Sequence, residues 1–132
     1  MKISLALASC RKQEERASFL ERFMREFLKR TWAEINLDAI RHNYTVIRQA
    51  VRPQSKICCV VKADAYGHGA PFISRELERM GADWFAVSNL EEAIQLRRCG
   101  IQRPILILGY TPPREAAQLH ELEIAQDRKS VV

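Results

Sequence analysis

A lysine at the end of an apolar run is the first feature of this chain that could do chemistry. Ile57-Cys58-Cys59-Val60-Val61 reads as a buried strand and Lys62 closes it. Ala63-Asp64-Ala65-Tyr66-Gly67-His68-Gly69 then turns through two glycines and a histidine into a helical pattern. A lysine amine, once deprotonated, adds to an aldehyde to give a Schiff base, and desolvation favours that neutral form. In α/β barrels and doubly wound sheets the sites lie at the carboxyl ends of the strands, because the loops there converge. A solvated strand terminus is the plain structural alternative for Lys62. Two more groups in the stretch carry chemical side chains. Tyr66 offers a hydroxyl, with a packed aromatic as its ordinary role, and His68 offers an acid or base. Gly67 and Gly69 permit backbone angles that a side chain would forbid.

The ten residues Val60-Val61-Lys62-Ala63-Asp64-Ala65-Tyr66-Gly67-His68-Gly69 closely resemble the pyridoxal-phosphate lysine motif of the alanine racemases, fold-type III enzymes built on a barrel. Many members have Asn where this chain has Asp64. The resemblance implies that Lys62 carries the cofactor, pyridoxal 5'-phosphate, and that Tyr66 contacts its phosphate. It implies a mainly structural role for the turn around His68. Leu108 matches a family residue lining the cofactor pocket, and an ordinary core leucine is the alternative. Racemisation needs two bases on opposite faces of the substrate carbon. By resemblance Lys62 is one, and the other is a tyrosine from the C-terminal domain of a partner subunit in a homodimer. Tyr44 and Tyr110 do not match that position.

The elements that must present this stretch are legible as a series. Thr31 to Leu37 alternates like a half-exposed strand. Asp38 is placed to cap the helix that follows, with Leu37, Ile40, Tyr44, Ile47 and Val51 on one face and Pro53 beyond its end. The segment Thr31 to Tyr44 resembles the family's opening almost throughout. After the lysine strand, Pro71 opens a helix with Ile73, Leu77 and Met80 on one face, stopped by Gly81. Trp84-Phe85-Ala86-Val87 is a short buried strand. Ser88-Asn89-Leu90-Glu91 has the spelling of a capping box for a helix carrying Leu90, Ala93 and Ile94 inward and ending at Gly100. Ile105-Leu106-Ile107-Leu108 is a third buried strand, and Thr111-Pro112-Pro113 opens a helix with Ala116, Ala117 and Leu119. Leu122 to Ile124 begins a fourth strand.

Strands alternating with helices are βα units, and strands apolar throughout imply a parallel sheet covered on both faces. The expected fold class is therefore α/β: a partial (β/α) TIM-type barrel of about three parallel βα units, with an N-terminal helical extension. A complete barrel takes ~250 residues, and this chain has 132. The expectation is the N-terminal part of a longer enzyme, divided into a helical extension (1–30), the barrel part (31–126) and a tail (127–132). Such a piece, lacking the second base, is expected to be inactive alone.

Charge separates the extension from the rest. Of the formal +5, residues 1–31 hold eight Lys/Arg against four Glu, leaving thirteen against twelve elsewhere. No basic patch interleaved with aromatics suggests nucleic acid as a partner. Residues 11–30 read as an amphipathic helix with Phe19, Leu20, Phe23, Met24, Phe27 and Leu28 on one stripe. Leu7-Ala8-Ser9-Cys10 is spelled like a lipoprotein cleavage site. The apolar run before it, Ile3 to Ala8, falls short of the roughly 7–15 residues of a signal core. No stretch approaches the ~20 apolar residues of a membrane span. Cys10, Cys58, Cys59 and Cys99 form no C-x-x-C pair and read as small buried hydrophobes in a reducing cytosol, with no metal implied.

The function expected from the resemblance is interconversion of L- and D-alanine, supplying D-alanine for cell-wall precursors in the cytoplasm. A serine-preferring racemase is a close variant. A pyridoxal-phosphate-binding barrel protein that does not racemise is the alternative of another class. Membrane association is expected only through a lost upstream domain.

Overall fold

The computed structural model describes residues 33–127 together with the backbone of residues 2–4. Strand β1 (Lys2–Ser4) pairs antiparallel with β2 (Glu34–Asn36), setting Ile3 opposite Ile35. The helical extension expected over 1–30 thus starts with a strand. The amphipathic helix at 11–30, Cys10, Trp32 and the last five residues lie outside the described residues.

Four parallel strands form the main sheet in the order β3-β4-β5-β6: Cys58–Val60, Trp84–Val87, Ile105–Ile107 and Ile124–Gln126. Each pair is joined through a helix, the arrangement that parallel strands require. The expected partial barrel of βα units is what is found. The core lies where the strands meet those helices: Phe85, Val87, Ile105 and Ile107 from the sheet, Ile73 and Leu77 from helix α2 (Ala70–Arg79), and Leu90, Ala93 and Leu96 from helix α3 (Leu90–Arg98).

Burial departs from expectation at β3. Its residues were expected to be covered on both faces, yet Cys58 is exposed, Cys59 half-buried and Val60 42% exposed. Among the described residues the strand is an edge of the four-stranded sheet, paired with β4 alone. The cysteines follow suit: Cys99 is buried, whereas the reading of Cys58 as a buried hydrophobe is wrong. Leu108 falls one residue past β5 and is 43% exposed.

Helix α1 (Leu37–Ala50) is capped by Asn36, not Asp38. The Asn36 carboxamide oxygen accepts from the amides of Asp38 (2.9 Å) and Ala39 (3.1 Å). Asp38 sits two residues further in, inside the helix, and places its charge in the first turn, where the helix dipole favours it. Leu37 and Tyr44 are buried as expected, but Ile47 is exposed, because α1 packs mainly on α2 and presents only a narrow stripe to it. The cap is displaced at α3 too, here by one residue from Ser88. Asn89 is the cap, its side chain accepting from the Glu92 amide at 2.9 Å, and Glu92 rather than Glu91 stands at the third helical position.

Two charged side chains hold helices in place. Arg97 on α3 donates to four carbonyls, those of Leu122, Ile101, Arg103 and Glu123, at 2.8–3.0 Å. It thereby joins the loop before β5 to the end of helix α4 (Ala116–Glu121), which follows a 3-10 turn at Pro113–Glu115. Glu76, buried on α2, accepts from Arg41 on α1 (2.6 Å) and from Arg79 (3.2 Å). The Arg41 guanidinium beside it, with help from Arg79, holds the Glu76 carboxyl below its usual range. A carboxyl whose folded pKa is depressed contributes stability above its unfolded value, ~4.3, that is lost as pH falls through the folded value. The melting midpoint is therefore expected to drop by a few degrees below about pH 4. Glu76→Gln should flatten that acid limb while lowering the midpoint at neutral pH. Melts recorded from neutral to acid pH check both.

Candidate active site

Lys62 stands two residues past the end of β3, at the carboxyl end of the sheet, and is half-buried. Val61 carries the ladder one step past the strand: its amide donates to Ala86 O at 2.8 Å, and its side chain is buried. The backbone then does something that residue types alone do not announce. Lys62–Gly67 is a single helical turn, and Ala63, Asp64, Ala65 and Tyr66 all adopt left-handed angles, with φ between 51° and 55°. For L-residues this costs about 1–2 kcal/mol per residue. The composition limits the cost, since no β-branched residue occurs there and Asp visits this region more readily than most.

Hydrogen bonds hold the turn. The Ala65 amide donates to Val61 O (2.9 Å) and the Gly69 amide to Asp64 O (2.9 Å). The Asp64 carboxylate accepts from the Ala70 amide at 2.7 Å, tying the turn to the start of α2. His68 Nδ1 faces two carbonyls, Ala65 O at 3.0 Å and Tyr66 O at 3.1 Å. Both partners are acceptors, so that nitrogen carries the proton and the ring serves the turn. Gly67 (φ 81°) leaves open space where a Cβ would stand.

One contact comes from far along the chain. Glu92 Oε1 accepts from the Ala63 amide at 2.8 Å, and its Oε2 accepts from the Ser88 amide at 2.7 Å. No local spelling signals it, because a 29-residue gap separates Glu92 from Ala63.

Tyr66 is 61% exposed on the turn, and Leu108 lies at the carboxyl end of β5. The structure thus puts Lys62, Tyr66 and Leu108 on one rim of the sheet. Leu108 is two strands from the lysine, ~10 Å at ordinary strand spacing. Gly109 also belongs to this rim. Its amide donates to Ser88 O (3.1 Å), and its carbonyl accepts from Gln126 Nε2 (2.6 Å). The nearby thiols are chemically quiet. Burial, with Cys58 and Asp83 adding, pushes the Cys59 thiol up to about 11, and partial desolvation by its neighbours raises Cys58 although the residue as a whole is exposed. Both stay protonated at neutral pH and are poor nucleophiles. Among the described residues no group of three or more His, Cys, Asp or Glu side chains could hold a metal ion.

The fold and the rim define a class: a parallel α/β protein with an amine at the carboxyl end of a strand and a strained turn behind it. Residues 35–127 match the family model described as alanine racemase, N-terminal domain. The chain belongs to the alanine racemase family. It is 47% identical over 96 residues to alanine racemase 1 of Caldanaerobacter subterraneus subsp. tengcongensis, covering 73% of this chain and 25% of that protein. It is also 47% identical over 103 residues to the alanine racemase of Desulfovibrio desulfuricans, covering 78% and 28%. Among solved structures, the alanine racemase of Clostridium difficile 630 superposes with a TM-score of 0.68 at 43% identity, covering 70% of this chain and 25% of that one. The alanine racemase of Bacillus anthracis with bound L-Ala-P gives 0.67 at 41% identity, covering 68% and 23%. The chain spans about a quarter of the length of these relatives. Among the described residues no helix is long and apolar enough to cross a membrane.

Proposed function

We propose that this chain is the cofactor-lysine part of a pyridoxal-phosphate-dependent amino-acid racemase acting on alanine. One observation carries the reading. A half-buried lysine at the carboxyl end of a parallel strand is followed by a left-handed turn that brings a tyrosine to the same rim.

The residues present fit the cofactor. Lys62 would hold its aldehyde end covalently, Tyr66 would hydrogen-bond its phosphate, and Leu108 would give the ring an apolar contact. The exposed side chains of Tyr66 and Leu108 and the open space at Gly67 leave room on the rim for a ligand. Bound pyridoxal phosphate supplies an electron sink that makes the Cα proton of an amino acid removable. The chain's own part is to orient that carbon and to move the proton on one face through Lys62 Nζ. Inversion requires a second base on the opposite face. Tyr44 is buried with its hydroxyl inside the fold, and Tyr110 stands exposed. We assign the second base to a second copy of the complete enzyme, working as a cytoplasmic homodimer.

The test is covalent. The chain incubated with pyridoxal phosphate, reduced with borohydride and mapped by peptide is expected to carry the label on Lys62. Lys62→Ala should remove most of it. Label spread evenly over surface lysines such as Lys56, and undiminished in Lys62→Ala, would overturn the assignment.

A further inference from the structure

We propose that Glu92 is the positioning residue for the Lys62 amine: its carboxylate fixes the plane of the peptide that joins Lys62 to Ala63. The inference rests on the reading of Lys62 as the cofactor-holding amine. The amide that Glu92 Oε1 accepts, at 2.8 Å, is the N–H of that peptide. Rotation of this plane would change the direction in which Lys62 projects from its backbone. Ala63 has φ 51°, so the plane is held in an orientation to which an L-residue does not settle unaided.

Helix capping alone does not account for the contact. In a capping box the glutamate at the third helical position returns to the amide of the cap residue. Here one oxygen goes to Ser88, the residue before the cap, at 2.7 Å, and the other goes to a different strand's loop. The helix cap proper is a separate bond, from the Glu92 amide to the Asn89 side chain at 2.9 Å, and it does not involve the carboxylate. One half-buried carboxylate therefore spans the carboxyl ends of β3 and β4 with charge-assisted bonds to both. Neighbouring Glu91 is exposed and has no such reach.

Glu92→Gln in the full chain separates the possibilities, because an amide can serve one of the two N–H groups but not both. Two quantities are read: backbone hydrogen exchange at Ala63, Ser88 and Phe85, and the rate and pH profile of borohydride-trapped pyridoxal phosphate on Lys62. Loss of the charge-assisted bond should speed Ala63 exchange about tenfold while leaving Phe85 unchanged. Trapping at Lys62 should slow several-fold with an altered pH profile. Glu91→Gln should match wild type. Asn89→Ala, which removes the helix cap but leaves both Glu92 oxygens, should alter Lys62 far less than Glu92→Gln does. If Glu92→Gln melts too low to assay, Glu92→Asp makes the same comparison, keeping the charge but too short to reach both amides.

Unchanged Ala63 exchange and Lys62 trapping in Glu92→Gln would overturn the inference. So would an equal loss in Asn89→Ala, since that is what a cap alone gives. If the wild-type chain places no cofactor on Lys62, the functional reading fails separately. Ala63 exchange then decides the Glu92 contact: faster in Glu92→Gln supports it, unchanged sinks it.

Discussion

Phe85→Ala is expected to cost about 3–5 kcal/mol, the usual loss for emptying a fully buried phenylalanine site. Phe85 sits in β4 between β3 and β5, is 0% exposed and is the largest fully buried side chain among the described residues. Its amide also donates to Pro104 O at 2.9 Å, so the backbone around it cannot close over the hole freely. Domains of this kind are stable by only about 5–15 kcal/mol in all. The variant should therefore stand near its unfolding threshold. In urea titration the midpoint should fall sharply with the slope unchanged, and Phe85→Leu should recover much of the loss. A midpoint within error of wild type would mean that β4 is not the centre of the core.

Gly109→Ala is expected to be the most damaging change on the rim, through steric conflict. A Cβ built there lies 2.3 Å from Ser88 O, a backbone atom, and no flexible side chain can yield in its place. Ser88 cannot retreat cheaply, because its amide is bound by Glu92 and its carbonyl accepts the Gly109 amide. Overpacking of this kind costs typically 1–3 kcal/mol and sometimes more. Gly67→Ala offers the contrast. It meets nothing within 4 Å but keeps φ at 81°, so only the conformational penalty, about 1–2 kcal/mol, applies. Thermal melts should rank Gly109→Ala below Gly67→Ala. Trapping of pyridoxal phosphate should also fall in the former, since Ser88 and Gly109 must move apart and Leu108 adjoins Gly109.

The parallel strands were legible because continuous apolar runs leave little else for Trp84–Val87 and Ile105–Ile107 to be. Their helices were legible from periodicity. Caps were misplaced by a residue or two, at Asn36 and Asn89, because several polar residues precede each helix and only the backbone path selects one. The exposure of β3 is a property of its place in the sheet, which its own residues do not encode. Lys62 and Tyr66 stood out because a ten-residue spelling carries them. Glu92 did not, nor did the buried Glu76, whose partner Arg41 lies 35 positions away. Pairings across such distances follow from topology, and charge alone gave no hint of them. The left-handed sense of Ala63–Tyr66 was equally hidden, since alanine and tyrosine are ordinary right-handed residues.

That reversed turn has a consequence for the order in which the protein is made. During synthesis the lysine leaves the ribosome well before the glutamate that braces the peptide beside it. Until β4 and the start of the next helix have docked, only the turn's own short-range hydrogen bonds oppose relaxation of those alanines to the ordinary hand. The turn after the lysine is thus expected to be completed late in folding and to open early, a latch closed by the part of the chain that arrives afterwards.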